Sequence, residues 1–254
     1  LVLIQSNNYL ESVFSLKNKT AIITGGSRGV GAEIARAFIK AGANVVCISR
    51  SESTIKKQSN FSYYKCDISD SQKFQSICEL IDSNYKGIDI LVNAAGISLP
   101  IDDKYTEFER FSKTLSVNLL ATYQCCEIVS KFMNKDSSII NITSIGSMLG
   151  FPGNPGYVAS KGGVMALTKS LAIDLSPIGI RVNNIVPGYI KTEMTLKSFK
   201  DKELYNERLD RMIIKRWGSV EDITGAAIFL ASNSSSYVTG TDVIIDGGWT
   251  AKGM

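Results

Sequence analysis

The amino-acid sequence predicts an α/β protein: a single-domain, doubly wound parallel sheet of about seven strands with helices on both faces. Three observations carry that expectation. Short apolar runs alternate with longer segments of helical spacing from Thr20 onward, the pattern of a sheet threaded by crossover helices. The runs are nearly unbroken, as strands covered on both faces should be. A glycine-rich turn follows the first run directly, where parallel α/β folds meet anions.

The elements follow in order. "TAIITGG" is the first strand, "GAEIARAFIKAGA" sets Ile34, Ala35, Phe38 and Ile39 at helical spacing, and "NVVCIS" is the second strand. "FSYYKCDIS" is a strand and "SQKFQSICELIDSNYK" a helix; "IDILVNAAG" is a strand, and "YTEFERFSKTLSVNLLATYQCCEIVSKFM" reads as one long helix. Strand "SSIINITS", helix "GYVASKGGVMALTKSLAIDLS" and strand "IRVNNIVPG" come next. A charged segment over 191–216, helix "VEDITGAAIFLAS" and strand "TDVIIDGG" close the fold. With no repeat and no low-complexity linker, one domain over 19–254 is expected, after an N-terminal extension over 1–18.

Composition narrows the function. The chain has 254 residues and a formal charge of +4, with a mean hydropathy of +0.06. That is far from the basic excess of a nucleic-acid binder, and no apolar run approaches the roughly 18–20 residues of a membrane span. No nucleic-acid or membrane partner is expected. The five cysteines are scattered and form no C-x-x-C, which fits a reducing cytoplasm and neither a disulfide framework nor a zinc site. There is no histidine. That excludes a Ser-His-Asp triad, a His-assisted cysteine and a His-ligated metal, leaving Tyr, Lys, Asp and Glu for acid/base work.

The turn "TGGSRGVG" runs from Thr24 to Gly31. Gly25, Gly29 and Gly31 permit positive φ, close approach of a pyrophosphate and tight helix packing, although the spacing is not G-x-G-x-x-G. A dinucleotide is the expected ligand. Where an acid would accept from the adenosine ribose, the second strand ends in Ser49, followed by Arg50, with Glu52 lying beyond. Arg28 and Arg50 suit a 2′-phosphate in charge and fork geometry, so NADP(H) is favoured and NAD(H) is the alternative; otherwise both are solvated surface charges. Farther along, "YVASK" sets Tyr157 and Lys161 four residues apart on one helix face, where a phenol and an ammonium address one volume.

The motifs "TGGSRGVG", "CDIS", "NAAG", "SVN", "ITS", "YVASK" and "VPGYIKT", in this order, resemble those of the short-chain dehydrogenase/reductase family, over about residues 19–248. The resemblance implies a Rossmann-like oxidoreductase. Thr24, Gly25, Ser27, Arg28, Gly29, Val30 and Gly31 would form the phosphate loop, and Asp67 and Ile68 would hold the adenine. Asn93, Ala94 and Gly96 would sit beside the riboses; the family more often has two asparagines here, and Ala94 departs from that. Pro187, Gly188, Ile190 and Thr192 would contact the nicotinamide side, and Asn118, Ser144, Tyr157 and Lys161 would be the catalytic group. Tyr157 would exchange the proton, with phenolate favoured by Lys161 and the oxidised cofactor. Ser144 would steady the substrate oxygen, Lys161 would also bind ribose hydroxyls, and Asn118 would support a water. Ser147 stands as an alternative to Ser144, and Asn118 as a buried amide satisfied by backbone. A homotetramer, or a homodimer, is implied across the helices beginning near Tyr105 and Tyr157; Ala159, Gly162, Gly163 and Ala166 suit close packing.

The substrate lid is expected over 191–216. Eight basic residues (Lys191, Lys197, Lys200, Lys202, Arg208, Arg211, Lys215, Arg216) there face five acidic ones. This is either a solvated helix surface or an attractor for an anionic substrate. Met148, Leu149, Phe151 and Asn154 form the other wall. The resemblance extends to sugar-acid, polyol and 3-oxoacyl members. The alternative, a non-catalytic NADP(H)-binding sensor, is opposed by the retention of Ser144, Tyr157 and Lys161.

Overall fold

A computed structural model describes residues 9–99, 101 and 104–252. The first eight residues of the expected extension lie outside the described residues. Seven parallel strands stand in the order β3-β2-β1-β4-β5-β6-β7. They are β1 (Thr20–Thr24), β2 (Asn44–Ser49), β3 (Phe61–Lys65), β4 (Ile88–Asn93), β5 (Met133–Ile142), β6 (Ile180–Pro187) and β7 (Asp242–Ile245). The main helices are α1 (Gly29–Lys40), α2 (Ser71–Tyr85), α3 (Glu107–Leu115), α4 (Ala121–Ser130) and α5 (Pro155–Leu175). Two short helices, α6 (Leu196–Lys200) and α7 (Lys202–Arg211), lie in the segment expected as the substrate lid, and α8 (Thr224–Ala231) follows.

The strands feed two cores by simple alternation. Ile22, Val46, Leu91, Ile139 and Val182 pack with Phe74, Cys125 and Leu171 of α2, α4 and α5 on one face. Ala21, Ile23, Val45, Ile90, Val92 and Ile140 pack with Ile34, Phe38 and Leu230 of α1 and α8 on the other. Period-two geometry explains both the alternation and the apolar runs, since each strand must satisfy two cores. Leu16 joins the second core, fully buried, and its N–H bonds to Ala41 O at 3.0 Å.

Two expected elements differ. The segment read as one long helix is broken by a π turn over Ser116–Leu120 and ends at Ser130, after which β5 starts at Met133. The start of β5 is irregular: the register with β4 shifts between Ile88 and Ile90, and Asp136 has φ +64°. Such a bulge admits polar residues that hydrophobic patterning does not read as strand.

A row of buried polar side chains crosses half the sheet. Asn93, Asn141, Asn184 and Asp242 are in register on β4, β5, β6 and β7. Asn93 Nδ2 donates to Asn141 Oδ1 (2.9 Å), and Asn141 Nδ2 to Thr168 Oγ1 of α5 (2.8 Å). Thr168 Oγ1 donates to Asn184 Oδ1 (2.7 Å), and Asn184 Nδ2 to Asp242 Oδ1 (2.7 Å). Thr168 is completely buried, so Thr168→Val orphans one donor and one acceptor, each worth about 1–3 kcal/mol. Urea unfolding should register a loss of roughly 2–4 kcal/mol, with Thr168→Ser recovering most of it.

Candidate active site

The strand order reverses at β1, whose neighbours are β2 and β4, and a cavity of about 490 Å³ opens at these strand ends. Topology alone predicts a ligand crevice there. Gly25 has φ +69°, and a Cβ on it would lie 2.6 Å from Ala95 N. A Cβ on Gly31 would lie 2.5 Å from Gly25 O. Only glycine closes this turn. Thr24 braces it from behind, its Oγ1 accepting from Ala95 N at 3.4 Å. At the N-terminus of α1, Arg28 makes no side-chain cap, so the first-turn N–H groups face the cavity beside Gly29 and Val30 and fit a pyrophosphate.

Ser27, Arg28, Ser49, Arg50, Asp67 and Ile68 line one end of this cavity; Ala94, Gly96, Ser144, Tyr157, Lys161, Pro187, Gly188, Ile190 and Thr192 line the rest. Thr24, Asn93 and Asn118 stand behind the wall. Arg28 and Arg50 are largely exposed: Arg28 Nη1 pairs with Glu193 at 2.7 Å, and Arg50 lies 3.9 Å from Asp67. Ser49 Oγ donates to Ser51 O at 3.0 Å. Lining residues that sequence reasoning missed include Ile97, Ser98, Leu99, Val117 and Met194. They are ordinary residues whose only signal is position.

The reacting end combines three elements. Ser144 stands two residues beyond β5 in extended backbone, its Oγ accepting from Gly146 N at 3.1 Å and acting on the Tyr157 hydroxyl, whose pKa it lowers against the larger effect of burial. Ser147 has a buried, unpartnered Oγ. Ser144, not Ser147, therefore meets Tyr157. Tyr157 sits in the first turn of α5, fixed by Pro155 at the helix start. One turn on, Lys161 Nζ lies 5.8 Å from the Tyr157 ring and donates to Ile142 O at 2.7 Å.

Burial pushes the Tyr157 phenol up, against the opposing hydrogen bond from Ser144. Burial also lowers Lys161 to about 8. The expected tilt of Tyr157 toward phenolate by Lys161 is not the dominant effect in this arrangement, because desolvation penalises both charged forms. Asn118, in the π turn, uses its amide on backbone: Oδ1 accepts from Ile97 N (2.8 Å), and Nδ2 donates to Ile97 O (2.9 Å) and Ser160 Oγ (3.1 Å). A Cβ on Gly96 would lie 3.4 Å from Asn118 Oδ1 and 3.6 Å from Lys161 Nζ. The three positions converge, and the side chain of Asn118 fixes the loop after β4.

A family model described as enoyl-(acyl carrier protein) reductase matches residues 25–250. The 2-dehydro-3-deoxy-D-gluconate 5-dehydrogenase of Bacillus subtilis is 39% identical over 257 residues, covering 96% of this chain and 99% of that protein. A 3-oxoacyl-(acyl-carrier-protein) reductase of Chlamydia trachomatis is 38% identical over 244 residues, covering 92% and 98%. Among solved structures, a gluconate 5-dehydrogenase from Burkholderia cenocepacia, in complex with NADP and tartrate, superposes with a TM-score of 0.89 at 31% identity, covering 96% and 99%. The chain belongs to the short-chain dehydrogenase/reductase family. This is a class of NAD(P)-dependent oxidoreductases acting on alcohol and carbonyl groups.

The lowered pKa of Lys161 sets a pH dependence. The native state releases this proton near 8 and the unfolded chain near 10.5, so the unfolded state binds more protons between them and the burial penalty shrinks as pH rises. Lys161→Met removes that penalty at every pH. Its stability relative to wild type should therefore be flat below pH 8 and fall across pH 8–10 by on the order of 3 kcal/mol, read from denaturant unfolding at each pH.

Proposed function

We propose that this protein is an NADP(H)-dependent oxidoreductase that interconverts a carbonyl and a secondary alcohol, with Tyr157 as general acid/base. The observation that carries the reading is the Ser144–Tyr157 hydroxyl pair, with Lys161 one turn on, at the end of a cavity that begins in a pyrophosphate-shaped glycine loop. The bound nicotinamide would supply or accept the hydride. Tyr157 gives a proton to the forming alkoxide in reduction and takes it in oxidation; a phenol held protonated by burial suits the first task. Ser144 Oγ, braced by Gly146 N, donates to the same oxygen. Lys161, tethered by Ile142 O, binds ribose hydroxyls and supplies the positive charge that phenolate needs. Asn118 orders the loop carrying Gly96 and Ile97 and supports the water through which the proton is replaced.

Ser49, Arg28 and Arg50 favour a 2′-phosphate over a free ribose, and the NADP complex of the similar gluconate 5-dehydrogenase supports this. Asp67 and Ile68 receive the adenine. The substrate classes supported by the relatives are sugar acids of the gluconate type and 3-oxoacyl thioesters. The reading also holds a single domain over 19–254, with its lid over 191–216. We favour a homotetramer across α3, α4 and α5, whose surfaces leave Phe108, Tyr123 and Ile173 exposed, with Leu120 of the π turn beside them; a homodimer would use the same faces. Among the described residues, no helix is long and apolar enough to cross a membrane. Five free, buried cysteines suit the cytoplasm.

Tyr157→Phe removes the hydroxyl and little volume, so turnover of ketones with NADPH should drop at least about 100-fold while NADPH affinity holds. Turnover at the wild-type rate would refute the mechanism. For the cofactor, NADPH should bind the wild type about tenfold or more tightly than NADH, the scale of one charge-assisted hydrogen bond. Ser49→Asp combined with Arg50→Ala should reverse that order in titrations at fixed ionic strength. Equal binding of the two cofactors by the wild type would mean that Arg28 and Arg50 serve only as surface charges.

A further inference from the structure

The lid's basic residues are not alike. Seven of the eight in the segment 191–216 are exposed, and Arg208 on α7 is the one turned partly inward. Its guanidinium carbon lies 4.5 Å from the centre of the Tyr189 ring and 5.8 Å from that of Trp217. Arg208 Nη1 is fully buried with no hydrogen-bond partner among the described residues, and so is Trp217 Nε1. Two donors closed off from water on one aromatic cluster leave a standing demand for acceptors.

The cluster packs beside the reacting end of the cleft. Tyr189 lies between Gly188 and Ile190, both of which line the cavity. Its ring is 6.3 Å from Phe151, and a Cβ on Gly146 would lie 3.0 Å from Phe151 and 3.5 Å from Ser144 Oγ. Trp217 is held in turn by Tyr205 (5.7 Å, stacked) and Phe199 (5.3 Å, edge-on) from the lid helices. The positive group is thus seated on apolar rings on the substrate side, away from Arg28 and Arg50.

We propose that Arg208, with the Trp217 indole N–H, is the specificity residue that binds the carboxylate of a small hydroxy-acid substrate, at the end remote from the reacting carbon. The proposal rests on the oxidoreductase reading above. A carboxylate matches two donors with two oxygens, and a guanidinium lifted from its ring faces offers it a planar fork. A large acidic carrier protein would instead meet the seven exposed cations of the lid surface. Its thioester would gain nothing from a buried, unpartnered guanidinium nitrogen.

The test uses the full chain with NADP(H), D-gluconate as the acid, D-sorbitol as the neutral polyol and acetoacetyl-CoA as the thioester. Arg208→Met should weaken D-gluconate, by KM and by calorimetric titration into the NADP⁺ complex, about tenfold more than it weakens D-sorbitol. Arg208→Lys should recover part of the loss. Trp217→Phe keeps a ring and removes only the N–H, and it should raise the D-gluconate KM several-fold with a smaller change in kcat; this guards against a lid that misfolds without Arg208. Equal effects on acid and neutral polyol, no D-gluconate binding by the wild type, or a loss confined to acetoacetyl-CoA would each overturn the proposal. Wild-type reduction of neutral ketones, abolished by Tyr157→Phe, tests the oxidoreductase reading separately. If that fails while D-gluconate still binds through Arg208, the carboxylate site survives without the reaction.

Discussion

The row of three buried amides on β4, β5 and β6, ended by the Asp242 carboxylate on β7, is the constraint on which the site depends. Parallel strands buried on both faces present apolar runs that pack almost as well after a two-residue slip, so hydrophobicity alone specifies their register weakly. An amide that must meet the next amide at 2.9 Å does not tolerate the slip. The site residues then fall at equal offsets. Gly96, Ser144 and Pro187 each stand three residues beyond a member of the row, Asn93, Asn141 and Asn184 respectively. The loop after β4, the Ser144 hydroxyl and the turn after β6 are therefore levelled by one hydrogen-bonded row, with Thr168 tying α5, and hence Tyr157 and Lys161, to the same level.

The chemistry at that level is governed by desolvation. The cavity wall raises the Tyr157 phenol and lowers the Lys161 ammonium to about 8, so two groups of nearly equal proton affinity in water separate, the phenol holding its proton the more tightly. The separation suits reduction: the phenol is held protonated and ready to donate, while the amine beside it is the group that releases its proton first as pH rises. The anchoring of Lys161 on Ile142 O keeps the amine in place in either protonation state, since a neutral amine also donates.

Much of this was legible in the sequence because it is local. The seven strands, the glycine turn and the Tyr157–Lys161 face follow from apolar runs, backbone permissiveness and helical spacing, each visible within a few residues. The π turn was not legible: "SVNLL" has good helical residues, and the widening is fixed by the Asn118 amide gripping the Ile97 backbone, 21 positions away. The tether on Lys161 was equally hidden, since a main-chain carbonyl carries no residue identity. Arg208 differed from its lid neighbours only by its partners Tyr189 and Trp217, which composition counts as two more aromatics. Leu16 escaped because one apolar residue before β1 has no periodicity to reveal its core contact.

Arg28 shows how magnitude decides between two partners. Its guanidinium pairs with Glu193 at the start of the lid, a contact in which both side chains are about two-thirds exposed. Exposed pairs contribute about 0–1 kcal/mol, because water screens the attraction and two long side chains must be held still. A charge-assisted hydrogen bond to a phosphate at the cavity edge is worth about 1.5–3 kcal/mol, and Arg28 brings five donors to share. The Glu193 pair therefore does not compete seriously with a phosphate. It biases Arg28 toward the rim of the cavity, which offsets at most a fraction of the roughly 2 kcal/mol of rotamer entropy that a free arginine side chain carries. On this reasoning the lid's first acid favours the cofactor clamp by confining it.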